Sequence, residues 1–182
     1  AARSLESLHA QSYWLEPTRQ AYGVTNTYAA PDRLGSDRWA ALIGARAVQP
    51  ETCLVASVGT AVTVDMLRAD GMFLGGVIVP GPHLMRTSLA QGTACVSVLD
   101  GDFHPTPRST EDAVETGITL ALVGVIDHMA AALRAQTGDA PVCLLSGGGA
   151  PRIATHLNSQ HRLVDNLVLE GLRSIARKEN WL

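Results

Sequence analysis

The sequence predicts a mixed α/β fold. Three observations support that class: strand-like runs in the middle of the chain, long helical stretches after them, and glycine turns at the joins. The sharpest of these is residues 54–65. Val55 opens an apolar run, Gly59-Thr60 interrupts it, and Val62 and Val64 then alternate with Thr63 and Asp65. A period of two marks a half-buried strand, so the stretch reads as strand, tight turn, strand. A glycine followed by a hydroxyl residue suits a phosphate, because backbone amides can approach an anion and the threonine adds a donor. An ordinary hairpin with a polar turn shares the pattern.

At 182 residues the chain can hold one domain, or a domain and a fragment. An apolar fraction of 46% against 17% charged describes a soluble globular protein, and aromatics at 4% leave packing to aliphatic side chains. A net charge of −3 without a basic cluster argues against a nucleic-acid or anionic-membrane surface. Cys53, Cys95 and Cys143 show no paired spacing, which fits a reducing cytoplasm better than a disulfide scaffold. No apolar run of membrane-spanning length and no signal peptide is read. The first residues lack an initiator methionine, and the expectation is a chain that starts inside a domain.

In order, residues 3–11 are weakly helical, with Leu5 and Leu8 on one face. Tyr13-Trp14-Leu15 is expected to be a short strand ended by Pro17, and 16–36 a loop. A helix is predicted over 37–48, with Asp37 at its N-terminus and Trp39, Leu42, Ile43 and Ala47 on its apolar face. Asp37 reads as an N-cap and Arg38 as a surface charge. The chemical alternative is that the carboxylate accepts a proton from a bound alcohol while the guanidinium grips an acid group of the same molecule. Residues 68–71 form a turn, and a strand follows over 72–79. Within it Gly75-Gly76 predicts a bulge or close approach, with packing against a helix favoured.

Residues 83–91 are helical, with Leu84, Met85 and Leu89 inward and His83 at the surface. In the loop 100–109, His104 lies near Asp100 and Asp102, but no second His or Cys has ligand spacing, so no metal is expected there. A long helix over 110–136 carries Val114, Ile118, Leu122, Val125, Ile126, Met129 and Leu133 as one stripe, with Thr110 as its cap. A buried strand over 142–146, then Gly147-Gly148-Gly149, then a helix from Pro151 make a general nucleotide-binding signal that also serves close packing. A short strand over 163–165 and a helix over 166–178, with Leu167, Leu169 and Leu172 buried, close the chain. His9, His128, His156 and His161 are scattered and read as structural.

Four motifs in order carry a family resemblance: Leu34-Gly35-Ser36-Asp37-Arg38-Trp39, Gly59-Thr60-Ala61, Gly75-Gly76-Val77-Ile78-Val79-Pro80-Gly81 and Leu167-Val168-Leu169-Glu170-Gly171-Leu172. Together, and over nearly the whole chain, they resemble the type III pantothenate kinases, or Bvg accessory factor family, of the sugar kinase, Hsp70 and actin superfamily. The resemblance implies the actin-like ATPase fold with its mixed five-stranded sheet. Residues 1–54 would be the C-terminal part of a first domain and 55–182 a second, with ligands in the cleft between them. The implied reaction is ATP-dependent phosphorylation of pantothenate, the first step of coenzyme A biosynthesis, with Mg2+. By motif position, Asp37 is the general base and Arg38 binds the substrate carboxylate. Gly35 and Ser36 shape the pocket, and Tyr28 and Thr110 contact the substrate. Gly59 and Thr60 hold nucleotide phosphates, and Gly147 and Gly148 line the adenine side.

The resemblance also implies a cytoplasmic homodimer, with the exposed side of the helix from 110 as candidate interface. The family places an acidic ligand for a monovalent cation (K+ or NH4+) where this chain has Ser57, a neutral hydroxyl, which weakens the case for potassium. The family's Asp-x-Gly-Asn-Thr phosphate loop does not occur in the sequence, and activity is expected only with the segment that carries it. Two other readings stay open. One is a non-catalytic regulatory or scaffolding relative, favoured by Ser57 and the missing loop. The other is a kinase of the same superfamily for another small hydroxy acid.

Overall fold

The computed structural model describes residues 13–93 and 100–181. The helix expected over 3–11, with Leu5, Leu8 and His9, lies outside them, as does Cys95. Within them, β1 (Gln20–Ala21), β2 (Val24–Asn26), β3 (Cys53–Val58), β4 (Ala61–Leu67), β5 (Met72–Pro80), β6 (Val142–Ser146) and β7 (His161–Leu163) form one sheet. Its order is β1-β2-β5-β4-β3-β6-β7. β3, β4 and β5 run antiparallel in sequence, while β6 and β7 join parallel to β3. β3 to β7 thus make a mixed five-stranded sheet, as the resemblance implies. β2 pairs parallel with β5, so β1 and β2 extend the same sheet. The division expected at 54/55 falls inside β3.

β3 is central and covered on both faces, which explains its near-continuous apolar run. Cys53 and Val55 pack towards α1 (Ser36–Val48) and α5 (Leu167–Lys178). Leu54, Ala56 and Val58 pack towards α3 (Thr110–Thr137) and α4 (Ala150–Ala154). The result is three layers, helices on either side of a sheet. α1 and α5 meet at two glycines. A Cβ on Gly44 would lie 2.2 Å from the Leu167 carbonyl oxygen, and one on Gly171 would lie 1.9 Å from that of Ala40.

Several boundaries and faces differ from the sequence reading. Residues 13–15 form no strand, and Tyr13 instead stacks on Trp181 with ring centroids 4.0 Å apart. The expected loop 16–36 contains the β1–β2 pair and a short 3-10 turn, Pro31–Arg33. The last strand lies two residues earlier than 163–165. α5 buries Leu167, Gly171 and Ile175, a spacing of four that follows α1, which leaves Leu169 and Leu172 exposed. Ala47 is likewise exposed on α1, whose buried alanines are Ala40, Ala41 and Ala45.

In α2 (Pro82–Gly92) the buried residue is Arg86, not a leucine. Arg86 bonds Glu115 of α3 and lies 3.3 Å from Asp100, and Arg152 reaches the other Glu115 oxygen at 3.2 Å. A buried carboxylate draws the guanidinium inward, and that rotation turns Leu84 and Leu89 to the surface. The cap of α3 is Ser109, whose Oγ accepts from the Asp112 amide at 3.1 Å, so Thr110 is the first helical residue. α3 has 28 residues, and an 18-residue window of it, with mean hydropathy 1.6, is long and apolar enough to cross a membrane by length and composition alone, as a core helix also can be. Here its stripe from Ile118 through Leu122 and Ile126 to Leu133 packs on the sheet.

Candidate active site

α1 starts with two neighbouring side chains that go opposite ways. Gly35 is the N-cap and has no side chain to offer. Asp37, at the second helical position, folds back so that its Oδ1 accepts from the Arg38 amide at 2.8 Å. A Cβ on Gly35 would come within 2.6 Å of that oxygen, so glycine here makes room for the carboxylate. The positive end of the helix dipole favours the charge. Asp37 is thus in the first turn but is not the cap, and it stays exposed.

Arg38 turns inward and is 6% exposed, which corrects its reading as a surface charge. Its Nε donates to Asp65 Oδ2 at 3.1 Å, its Nη2 to Asp65 Oδ1, and its Nη1 to the Tyr28 hydroxyl at 3.0 Å. The rings of Tyr28 and Phe73 each lie 5.8 Å from the guanidinium carbon. Burial alone would lower the Arg38 pKa, but the Asp65 bonds outweigh it and raise it. Burial pushes the Asp65 carboxyl up, against the pull of Arg38. Because a guanidinium keeps its proton, we take the pair as ionic at neutral pH.

The Gly59-Thr60 turn joins β3 to β4 and lines the same cleft as Asp37. Gly147 has φ +95°, and a Cβ there would meet the Val58 carbonyl oxygen at 2.5 Å. Gly149 donates its amide to the same oxygen at 3.1 Å. Close packing is therefore the local reason for the glycine run, and it carries Gly147 to the tip of β3.

These parts surround a cleft of about 510 Å³. Asp37, Arg38, Ser57, Gly59, Thr60 and Gly147 all line it. Gly35 and Ser36 adjoin it through Asp37, Tyr28 supports Arg38 from behind, and Gly148 stands outside the lining with open space around it. Thr110 is elsewhere, in an apolar groove of about 1070 Å³ between α2 and α3.

Sequence reasoning missed Asp65, Thr63, Ser146, Asp165 and Asn166. Ser57 pairs with Thr63 on one side and Ser146 on the other, a row of hydroxyls across three strands. Asn166 caps α5, its Oδ1 accepting from the Leu169 amide at 3.0 Å. The first turns of α1 and α5 therefore both contribute to the cleft, which suits an anion. No group of three His, Cys, Asp or Glu able to hold a metal occurs among the described residues.

A carboxylate, a guanidinium and a glycine-hydroxyl turn lining one cleft at the end of a mixed sheet are the parts that phosphoryl transfer uses. The family model for type III pantothenate kinases matches residues 1–132. Type III pantothenate kinases from Dechloromonas aromatica and Azoarcus sp. are 50% and 49% identical over 90% of this chain. That of Thiobacillus denitrificans is 44% identical over 97% of it. The chain belongs to the type III pantothenate kinase family, enzymes that phosphorylate pantothenate towards coenzyme A. It spans 68%, 61% and 72% of those three relatives. Among solved structures, a Baf family transcriptional activator from Campylobacter jejuni shares the fold. Its TM-score is 0.64 at 21% identity, over 88% of this chain and 71% of that one.

Proposed function

We propose that the cleft is where pantothenate and the terminal phosphate of ATP meet, with Asp37 as general base. The observation that carries this reading is the convergence of Asp37 and Arg38 on one cleft with the Gly59-Thr60 turn and Gly147. Asp37 takes the proton of the primary hydroxyl as that oxygen bonds to the γ-phosphorus. The bond from the γ-phosphorus to the bridging oxygen breaks, and ADP leaves. Arg38 holds the pantothenate carboxylate through the N–H groups that Asp65 and Tyr28 leave free. Gly59 and Thr60 hold the phosphates, and Gly147 and Gly148 flank the adenosine.

Mg2+, when bound, neutralises charge on the phosphates. The cleft fits an ion held mainly by phosphate oxygens and water: its lining offers the Asp165 carboxylate and the Thr60 hydroxyl rather than a full protein cage. For K+ or NH4+, Ser57 offers a neutral oxygen, and Ser146 beside it is already bonded to the Leu167 amide at 3.3 Å. The rate is therefore expected to be the same in potassium and in sodium.

Thr110 lines the apolar groove rather than the cleft. Its contact with substrate belongs across a homodimer interface, reaching the partner's cleft. Leu84 and Leu89, exposed in that groove, and Leu120, exposed in the adjoining apolar pocket between β5 and α3, support a second copy as the occupant of that face. The test is mass detection of phosphopantothenate formed from ATP, with other small hydroxy acids offered in parallel. Phosphorylation of pantothenate in preference to the others is expected. Transfer to another acid in preference would overturn the choice of acceptor, and no transfer at all by the folded full natural chain would overturn the kinase reading.

A further inference from the structure

Arg38 is among the residues that line the cleft, and its guanidinium sits at the end of a long stem with no fixed direction of its own. Asp65 fixes it. Both carboxylate oxygens bond Arg38, through Nε and Nη2, and this side-on fork sets the plane of the guanidinium. Asp65 is 1% exposed and does not line the cleft. It lies on β4 between Val64 and Met66, paired across the strands with apolar Val55 on β3. A buried ion pair is often no more stable than apolar packing of the same volume, so its presence calls for a reason other than stability.

The surrounding strands are built to admit that carboxylate. Gly76 stands directly opposite Asp65 in the β4–β5 register. A Cβ on Gly76 would lie 2.0 Å from Asp65 Oδ1. Gly76 thus answers to Asp65 and to the Val64 carbonyl oxygen, 2.5 Å from that Cβ, and not to a helix, while Gly75, with φ +117°, stands at the β4–β5 register shift. Of the five N–H groups of the guanidinium, Asp65 and Tyr28 engage three, and two remain.

We propose that Asp65 is a positioning residue for acceptor recognition, holding the Arg38 guanidinium so that its two remaining N–H groups meet the acceptor's carboxylate, with Gly76 providing the room. This rests on the reading of Arg38 as the carboxylate-binding group. The test is steady-state kinetics of the full natural chain with pantothenate and with its primary amide, which lacks the negative charge. In Asp65→Asn, KM for pantothenate is expected to rise by about tenfold or more while kcat stays within about threefold, the pattern of lost ground-state binding. KM for the amide is expected to stay unchanged.

Gly76→Ala keeps both charged groups but presses its methyl on Asp65 Oδ1 and on the Val64 carbonyl oxygen, so β4 shifts with the carboxylate it carries, and it should give the same split. It also carries the test if Asp65→Asn does not fold. Equal loss towards acid and amide in whichever variant folds would reduce Asp65 to a structural role and overturn the proposal. Arg38→Lys separates the two readings. If it leaves the preference for acid over amide intact, Arg38 does not bind the carboxylate, whatever Asp65 does.

Discussion

Arg38 and Asp37 are adjacent in sequence and opposite in environment. One is buried and bonded on three sides, the other exposed at a helix end. The motif made both legible as candidates, because an acid and a guanidinium side by side at a helix start have obvious chemistry. Asp65 was not legible, since alternation with Val62 and Val64 assigned it to an open face of a half-buried strand. Gly76 was the available signal: a glycine in a strand can report the side chain opposite it as well as a helix above it. Ser57 supplies a prediction at this scale. Ser57→Asp places a carboxylate in the cleft lining, and the rate of phosphoryl transfer should then become higher in potassium than in sodium.

Elements were legible where apolar periodicity dominates and misread where a polar contact sets the rotation. α1, α3 and the strands of the central hairpin lie within one or two residues of their expected limits. α2 was turned the wrong way because its inward residue is an arginine answering Glu115. The α1–α5 contact gives a stability prediction. Gly171→Ala forces a methyl against the Ala40 carbonyl and should cost about 1–3 kcal/mol, read as a lower denaturant midpoint at unchanged slope.

Another prediction concerns pH. Asp127 on α3 accepts from the amide and side chain of both Asn158 and Ser159, at 2.8 to 3.2 Å. Burial raises its pKa, but those donors outweigh burial and hold it below the usual aspartate range. Its stabilisation is therefore present above the unfolded value of about 4 and is lost as pH falls through the lower folded value. Asp127→Ala should cost about 2 kcal/mol at neutral pH. Melting curves of variant and wild type should converge as the solution is acidified through that range.

On the scale of the whole molecule, the active cleft and the apolar α2–α3 groove are different places on one chain. The sheet order was not readable from sequence, because β6 and β7 join by parallel pairings separated by long stretches of chain. The groove was half readable: the helix from 110 was expected to carry an interface, but Leu84 and Leu89 were expected inside. If this face joins two copies, Leu89→Lys should shift sedimentation from dimer to monomer and lower activity while leaving the melting of each protomer cooperative. A dimer that survives this change would place the interface elsewhere.

The central claim is that Asp37 accepts the proton of the pantothenate hydroxyl. The most direct measurement is the turnover of Asp37→Asn beside wild type, with phosphopantothenate detected by mass. The account predicts a fall of about 100-fold or more, the range for removing a general base, with little change in KM. Wild-type turnover in the folded variant would contradict it.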